Sequence, residues 1–466
     1  MRALDERFPV MVWAPIAVLG CLALAYLVVD KEIRFVTFAI LTVLFFLVCF
    51  SNIKISLQLL VFSMLLSPEL IVGQTGSREI TLRFEDALLP TMIAAWFFRM
   101  AIFKDIGFLM SNPLNRPIIV FSFIIVVSTA LGVWRRDVDP VAGFFFTLKL
   151  IEYFCLFAMV VNHVQTVRET NTMITLMLIV FAIVALYALA QVGTGHRASA
   201  PFEGAEPERN TLSGYLVLVG SVAAGVFLYT KSNRERIVLG AFLALGFVAM
   251  LLSFSRSGWI ASLVSVVVLF FLAKTKSGFL IVACLLVAFL PLITPKEVKE
   301  RVEFTYTQQA GDQEQVTIFG IRLDTSTSAR IRDAAYVMND FQRHMFLGFG
   351  MTGFRFLDGQ FIRYFIEFGV LGLVAFLWVL AGVHRLLRRA LHIELEPRIQ
   401  GMVVGFYAGF WALMAHALTA NTFVIVRIAE PFWFLAGLTV GLLLKHEQGL
   451  DNGMDADEMP ALAPST

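Results

Sequence analysis

The sequence predicts an all-α, polytopic integral membrane protein of about 12–14 transmembrane helices with one large extracytoplasmic loop. Three observations carry that expectation. The first is composition: 466 residues, 58% hydrophobic and only 15% charged, with a mean hydropathy of +0.78, where a soluble chain carries about a quarter charged residues. The second is that apolar segments of roughly 17 residues or more recur from end to end. The third is their period. A β-barrel would show short stretches of period-two alternation, and it is excluded. The formal net charge of +2, with no basic stripe on a soluble domain, gives no sign of a nucleic-acid partner. Cys21, Cys49, Cys155 and Cys284 all fall within apolar segments. Their spacing suits neither a metal site nor a disulfide framework.

The expected spans are 9–29, 33–50, 55–73, 86–103, 117–134, 141–162, 171–193, 211–230, 237–253, 258–273, 279–294, 360–383, 401–420 and 431–445. Arg2 and Arg7 precede the first apolar run, which continues to Val29. That is long for the apolar core of a signal peptide, so it reads as a first transmembrane helix. Lys and Arg placement sets the orientation. With a cytoplasmic N-terminus, Lys231, Arg234 and Arg236 fall inside, as do Lys274, Lys276, Arg385, Arg388 and Arg389. The alternate connections carry acids: Asp30, Glu32, Glu79, Glu85, Asp137, Asp139, Glu203, Glu206 and Glu208. Residues 194–210, Ser255–Gly258 and 295–357 then lie outside. Within the long polar loop, 328–342 reads as a helix with Ile331, Ala335 and Met338 on one side. The expected organisation is 1–194 as N-terminal helices, 195–383 as a core including the loop 295–357, 384–445 as C-terminal helices, and 446–466 as an acidic, disordered cytoplasmic tail. No internal repeat is visible, which weighs against transporter folds built from duplicated halves.

Arg256 is the residue most in need of explanation. It sits in Ser255-Arg256-Ser257-Gly258, inside an apolar stretch from about Ile237 to Ala273. A guanidinium does not shed its charge and is costly near a bilayer core. Either it serves an anion or it meets lipid headgroups from a short loop. Two further segments lie on the same expected side. One holds Arg197, in His196-Arg197-Ala198-Ser199-Ala200-Pro201-Phe202. The other runs from Arg343-His344 through Gly348-Phe349-Gly350 to Asp358-Gly359-Gln360 and Glu367-Phe368-Gly369-Val370-Leu371-Gly372. Arginines facing one cavity suit a diphosphate, through bidentate charge-assisted bonds. A carboxylate or imidazole beside them suits deprotonation of a hydroxyl.

Taken together, these residues resemble the O-antigen ligase and O-antigen polymerase superfamily. The resemblance rests on Ser-Arg-Ser-Gly-Trp at a helix turn, the large late loop, Gly348-Phe349-Gly350 after a histidine, and a helix entering with Glu-x-Gly-x-x-Gly. It is strongest over about 195–375. It implies a substrate in the form of a polyprenyl-pyrophosphate-linked oligosaccharide, contact with membrane lipids, no cofactor or metal, and residence in the bacterial inner membrane with a periplasmic site. Chain-length regulators and export proteins are the further partners it suggests. By the resemblance, Arg197 and Arg256 hold the pyrophosphate, and Arg330, with Arg332 as its competitor, is the arginine early in the large loop. The ligase branch has a histidine where the register counted back from Gly369 puts Asp358. That departure favours a polymerase over a ligase. His344 lies outside the register. A ligase, or a transporter of lipid-linked oligosaccharide, is the alternative.

Each candidate also has a plain reading. Arg197 neutralises Glu203 or Glu206. Arg330 and Arg332 lie on the wet face of an amphipathic helix, His344 makes structural hydrogen bonds, and Asp358 caps the following helix. Glu367, two turns into that helix, either pairs with Arg363 four residues earlier or takes part in catalysis with Asp358.

Overall fold

The computed structural model describes residue 43 and residues 45–67, 69–75, 78–103, 111–193, 198–203, 209–273, 317–318, 321–322 and 325–451. The expected spans 9–29 and 279–294, most of 33–50, Arg197 and residues 452–466 lie outside them. The described elements are helical apart from two short hairpins. In order they are α1 (Ile53–Leu66), β1 (Glu69–Thr75), β2 (Arg78–Arg83), α2 (Phe84–Phe103), α3 (Asn115–Arg135), α4 (Pro140–His163), α5 (Val167–Gly193), α6 (Arg209–Tyr229), α7 (Asn233–Leu252), α8 (Arg256–Leu272), β3 (Thr317–Ile318), β4 (Ile321–Arg322), α9 (Thr325–Asp340), α10 (Gln360–Leu391), α11 (Pro397–Ala417) and α12 (Val426–Asp451). Seven of them, α3 to α7, α10 and α12, are long and apolar enough to cross a membrane. Shorter apolar helices are α1 and α8. The chain is thus an all-α polytopic membrane protein.

It divides into two compact units, Met1–Leu60 with Arg83–Phe108, and Val61–Leu82 with Leu109–Thr466. In the first, Leu57, Leu60, Met92 and Ala95 are buried. Arg99 donates to Phe50 O at 2.9 Å and Ser51 O at 3.2 Å, covering carbonyls at the end of a helical stretch. The second holds every residue discussed below.

Its centre is the crossing of α6 and α11. Three glycines on α11 at four-residue spacing, Gly401, Gly405 and Gly409, face Leu218, Ser221, Val222 and Gly225 of α6. A β-carbon on Gly225 would sit 2.1 Å from Gly401 O, so the backbones touch. Small residues at such a spacing are how helices associate where lipid is as apolar as leucine. Ser221 on α6 also bonds Ser265 on α8 at 2.6 Å. Beside it, α12 lies along α4, with Gly437 against Val160 and Gly441 against Val164. Trp433 packs edge-on to Phe154 and Phe157 at 4.9 and 5.9 Å.

Three expected boundaries move. The span expected over 55–73 ends at Leu66, and β1 begins at Glu69. Proline follows Ser67 and cannot continue the helical ladder, while Leu70-Ile71-Val72 suits a strand as well as a helix. The last helix starts at Val426 and runs to Asp451, past both ends of 431–445. It takes in Arg427 and Glu430, 0% and 2% exposed. The third change is in α10, whose hydrogen-bonded ladder breaks at Gly369, with φ 68° and ψ −169°. That region of the backbone map is essentially glycine's alone. Val370–Leu391 by itself is about 33 Å long at about 1.5 Å per residue, enough to cross. Glu367 therefore belongs to a separate helix, Gln360–Phe368, that precedes the span.

Candidate active site

The candidate site gathers where α3, α5, α7 and α11 finish and α4, α6, α8, α10 and α12 begin. Its scaffold is the break in α10. The carbonyls of Ile366 and Glu367, freed by the break, accept from Phe349 N (3.0 Å) and Gly350 N (2.7 Å). In return Val370 N and Leu371 N donate to Met345 O (2.9 Å) and Phe346 O (3.2 Å). Residues 345–350 thus run against the break as a strand-like segment, and the groups that would be orphaned in an apolar setting are paired. Ser128 on α3 donates to Leu347 O and to Glu367 O, the latter at 3.0 Å. Thr129 receives Met351 N–H at 3.2 Å. Gly132 lets the segment close on α3, since a β-carbon there would meet Phe349 O.

Glu367 locks this arrangement. Its Oε2 lies 3.1 Å from Arg363 Nε, and its Oε1 accepts Thr352 N–H at 3.1 Å. Arg363 and Glu367 are 7% and 2% exposed. Both carboxylate oxygens are engaged, one by Arg363 and one by Thr352 N–H. His344 sits at the rim. Arg135 donates to its Nδ1 at 2.9 Å and to Gly348 O at 2.7 Å. Arginine has no acceptor, so Nδ1 accepts, and the ring's N–H is on Nε2, facing Asp137 at 3.7 Å. Burial and the neighbouring Arg135 charge hold this imidazole below its ordinary pKa against the pull of Asp137. Arg343 is 71% exposed and lies 3.5 Å from Asp340.

Helix α9 forms close to the expected limits but turns a different face inward. Val337 is 1% exposed and packs with Phe349, Leu357 and Ile366, while Met338 is 65% exposed. The inward row is therefore Val337 and the partly buried Phe341 that follows, which stacks on Phe365 at 4.2 Å. Residues 330, 337 and 341 share this side at i, i+7 and i+11, which swings Arg330 toward the start of α10. Its guanidinium lies 3.8 Å from Asp358. Burial pushes the Asp358 carboxyl above its usual range, Arg330 opposes the rise and Asp333 adds to it. The Asp333 carboxyl is likewise raised by burial, against the charges of Arg355 and Arg332. Asp358 makes no capping bond: the residue before α10 is Gly359, with φ 109°.

Arg256 opens α8. Ser255 is the N-cap, its hydroxyl accepting from Gly258 N, and Phe254 before it has φ 54°. Below this turn lies a buried polar cluster. Asn210 Oδ1 accepts from Ser255 (3.2 Å) and Ser257 (2.9 Å). Ser213 bonds Ser255 at 3.0 Å and the ring of His416 at 3.3 Å. The other ring nitrogen of His416 meets Thr422 at 2.8 Å. The turn after α11 also holds the start of α10. Asn421 donates to Leu357 O at 2.7 Å, Gln360 N to Ala420 O at 3.1 Å, and Phe423 N to Gln360 Oε1 at 2.7 Å.

Arg197 itself is outside the described residues, but the loop after it is anchored. Ser199 N donates to Gln191 Oε1 at 2.8 Å. Pro201 O accepts from Arg427, which also reaches Ser67 O at 3.2 Å. Non-glycine residues with positive φ among the described residues are Arg136, Phe202, Phe254 and Thr352. All four fall in connections at this end, and backbone strain of this kind clusters at functional sites.

The structure therefore brings Arg330 to Asp358 and joins Glu367 to the Gly348–Gly350 segment. It leaves Arg343 at the surface. Sequence reasoning missed Arg135, His416 and Arg427. The available signal for Arg427 and Glu430 was an arginine and a glutamate inside an apolar C-terminal run, which is expensive unless it has a purpose. His416 carried no such signal.

Residues 241–377, from α7 through the break in α10, match the family model described as O-antigen ligase. No curated protein matches the chain. The match takes in Arg256, Arg330, Asp358 and Glu367 and leaves out Asn210, Ser213, His416 and Arg427. That match, with the Arg256 turn and the broken helix inside it, supports the O-antigen ligase/polymerase superfamily, whose members are membrane glycosyltransferase-like enzymes acting on lipid-linked glycans.

Proposed function

We propose that this protein polymerises lipid-linked oligosaccharide repeat units at the outer face of the bacterial inner membrane, with both termini in the cytoplasm and residues 195–383 as its working core. The observation that carries the proposal is the approach of Arg330 to Asp358, 3.8 Å apart across the large loop. In the proposed reaction a hydroxyl of one lipid-linked unit attacks the anomeric carbon of a glycan held on polyprenyl pyrophosphate. A carbon–oxygen bond forms to the acceptor, and the bond between that carbon and the pyrophosphate oxygen breaks. Asp358 accepts the hydroxyl's proton, as a carboxylate with a raised pKa does efficiently. Arg330 keeps that carboxylate oriented and ionisable. Arg256, with Arg197 and Arg332 beside it in the scheme, holds the negative charge that builds on the leaving pyrophosphate. Guanidinium groups supply all the positive charge, and no cofactor enters. Glu367 keeps the Gly348–Gly350 segment in place, and His344 latches that segment to α3.

The test is glycan length in cells whose own copy is deleted. Arg256→Ala protein at normal abundance should make only short products. Full-length polymer from that variant overturns the proposal. The ligase reading is favoured by the description of the matched family itself. Supplying both acceptors separates the two: product on a lipid core rather than on the polyprenyl carrier makes the chain a ligase.

A further inference from the structure

Two parts of the matched domain, the turn carrying Arg256 and the start of α10 carrying Asp358, are both tied to residues outside the match. The turn reaches the connection between α11 and α12 through Ser213 of α6 and His416 of α11, while the start of α10 bonds to that connection directly. Its start of α10 contacts are three: Asn421 to Leu357 O, Gln360 N to Ala420 O and Phe423 N to Gln360. A β-carbon on Gly359 would lie 3.1 Å from Leu418 O. Toward the Arg256 turn the link runs through His416, which is 0% exposed. One ring nitrogen faces Thr422, within the same connection, at 2.8 Å. The other faces Ser213 at 3.3 Å, and Ser213 bonds the N-cap Ser255 at 3.0 Å.

We infer that His416 is a positioning residue: by bridging Thr422 to Ser213 it fixes the N-cap turn of α8, and so Arg256, in register with Asp358. The inference rests on the proposed pyrophosphate role of Arg256. A buried imidazole between two hydroxyls suits this work, because each nitrogen fixes one partner and the ring has no freedom left. The neighbours facing it are hydroxyls and apolar groups: Ser213 and Gly214 of α6, Ile428 of α12 near Gly214, and Thr422. It bridges; it does not touch substrate.

The two ring nitrogens can be tested separately. Asparagine in place of His416 reaches Thr422 but falls short of Ser213; glutamine reaches Ser213. The readout is the affinity of the full-length protein in nanodiscs for farnesyl diphosphate. His416→Asn and Ser213→Ala should each weaken it about fivefold to tenfold, the effect of one buried hydrogen bond. His416→Gln should stay within about threefold of the parent. In an Arg256→Ala background His416→Asn should have no further effect, since the two act through one group. Equal losses for Asn and Gln, or the same fold-loss from His416→Asn with and without Arg256, would show general damage and overturn the inference. So would unchanged affinity in both His416→Asn and Ser213→Ala when Arg256→Ala weakens binding. If Arg256→Ala itself leaves the affinity unchanged, the proposed function falls, and this inference with it.

Discussion

Replacing Arg363 with methionine should be among the most damaging single changes in the protein. Arg363 and Glu367 are 7% and 2% exposed, with Nε and Oε2 3.1 Å apart. Methionine keeps most of the length and removes the charge, so Glu367 is left buried with only the Thr352 N–H bond to its carboxylate. An uncompensated buried charge of this kind costs about 3–5 kcal/mol, a large part of a typical total stability of about 5–15 kcal/mol. The damage should spread along the segment that Glu367 holds, Met345–Gly353, before it reaches α11. Adding Glu367→Gln removes the stranded charge while leaving an oxygen to accept from Thr352, so the double variant should recover about 2 kcal/mol or more of the loss. The assay is reversible unfolding of the full-length protein in mixed micelles, with amide exchange followed over residues 345–353. A cost below about 1 kcal/mol for Arg363→Met, the range of exposed ion pairs, refutes the reasoning. So does additivity of the two substitutions.

Further outcomes follow from the break in α10 and from the environment of Asp358. Gly369→Ala places a β-carbon 2.3 Å from Phe346 O at φ 68° and ψ −169°; it should cost about 1–3 kcal/mol in backbone strain plus the displacement of the 345–350 segment. Gly240→Ala, where the nearest atom is a phenyl carbon at 3.6 Å, should be neutral or slightly stabilising, and comparable melting points for the two variants would contradict the account of the break. The raised Asp358 carboxyl predicts that activity falls as pH drops through a value above the ordinary carboxylate range. Arg330→Gln should move that limb to higher pH, because Arg330 opposes the rise. Asp358→Asn should lower kcat about 100-fold or more. The stability sign is opposite. A carboxyl whose folded pKa is raised stabilises the fold only while protonated, and that contribution is lost as pH rises through the folded value. At neutral pH Asp358→Asn should therefore lose activity without losing stability, and a lowered melting point there would contradict the stated environment.

Much of the fold was legible because it rests on one-dimensional quantities. Apolar length and the period of the pattern identify helices that cross a membrane, and seven described helices meet that condition. Ser255 in front of Arg256 is a short-range capping signal, and α8 begins there. The helix of the large loop is a local pattern as well, and α9 falls close to its expected limits. The inward face of that helix was not legible. Met338 and Val337 are equally apolar neighbours, and the choice between them depends on Phe349, Leu357 and Ile366, which arrive from elsewhere in the chain.

The sequence alone determined that this is a many-helix membrane protein, that Arg256 stands in a small-residue turn, and that Asp358 stands in the register before Glu-x-Gly-x-x-Gly, since each follows from residue type at fixed local spacing. Only the tertiary structure decided that α10 breaks at Gly369, that Glu367 is held by Arg363, that Arg330 meets Asp358, and that His416 and Arg427 brace the site from helices outside the matched domain. The physical reason is that a buried polar group is tolerated only with a partner, and its partner's distance in space has no counterpart in distance along the chain.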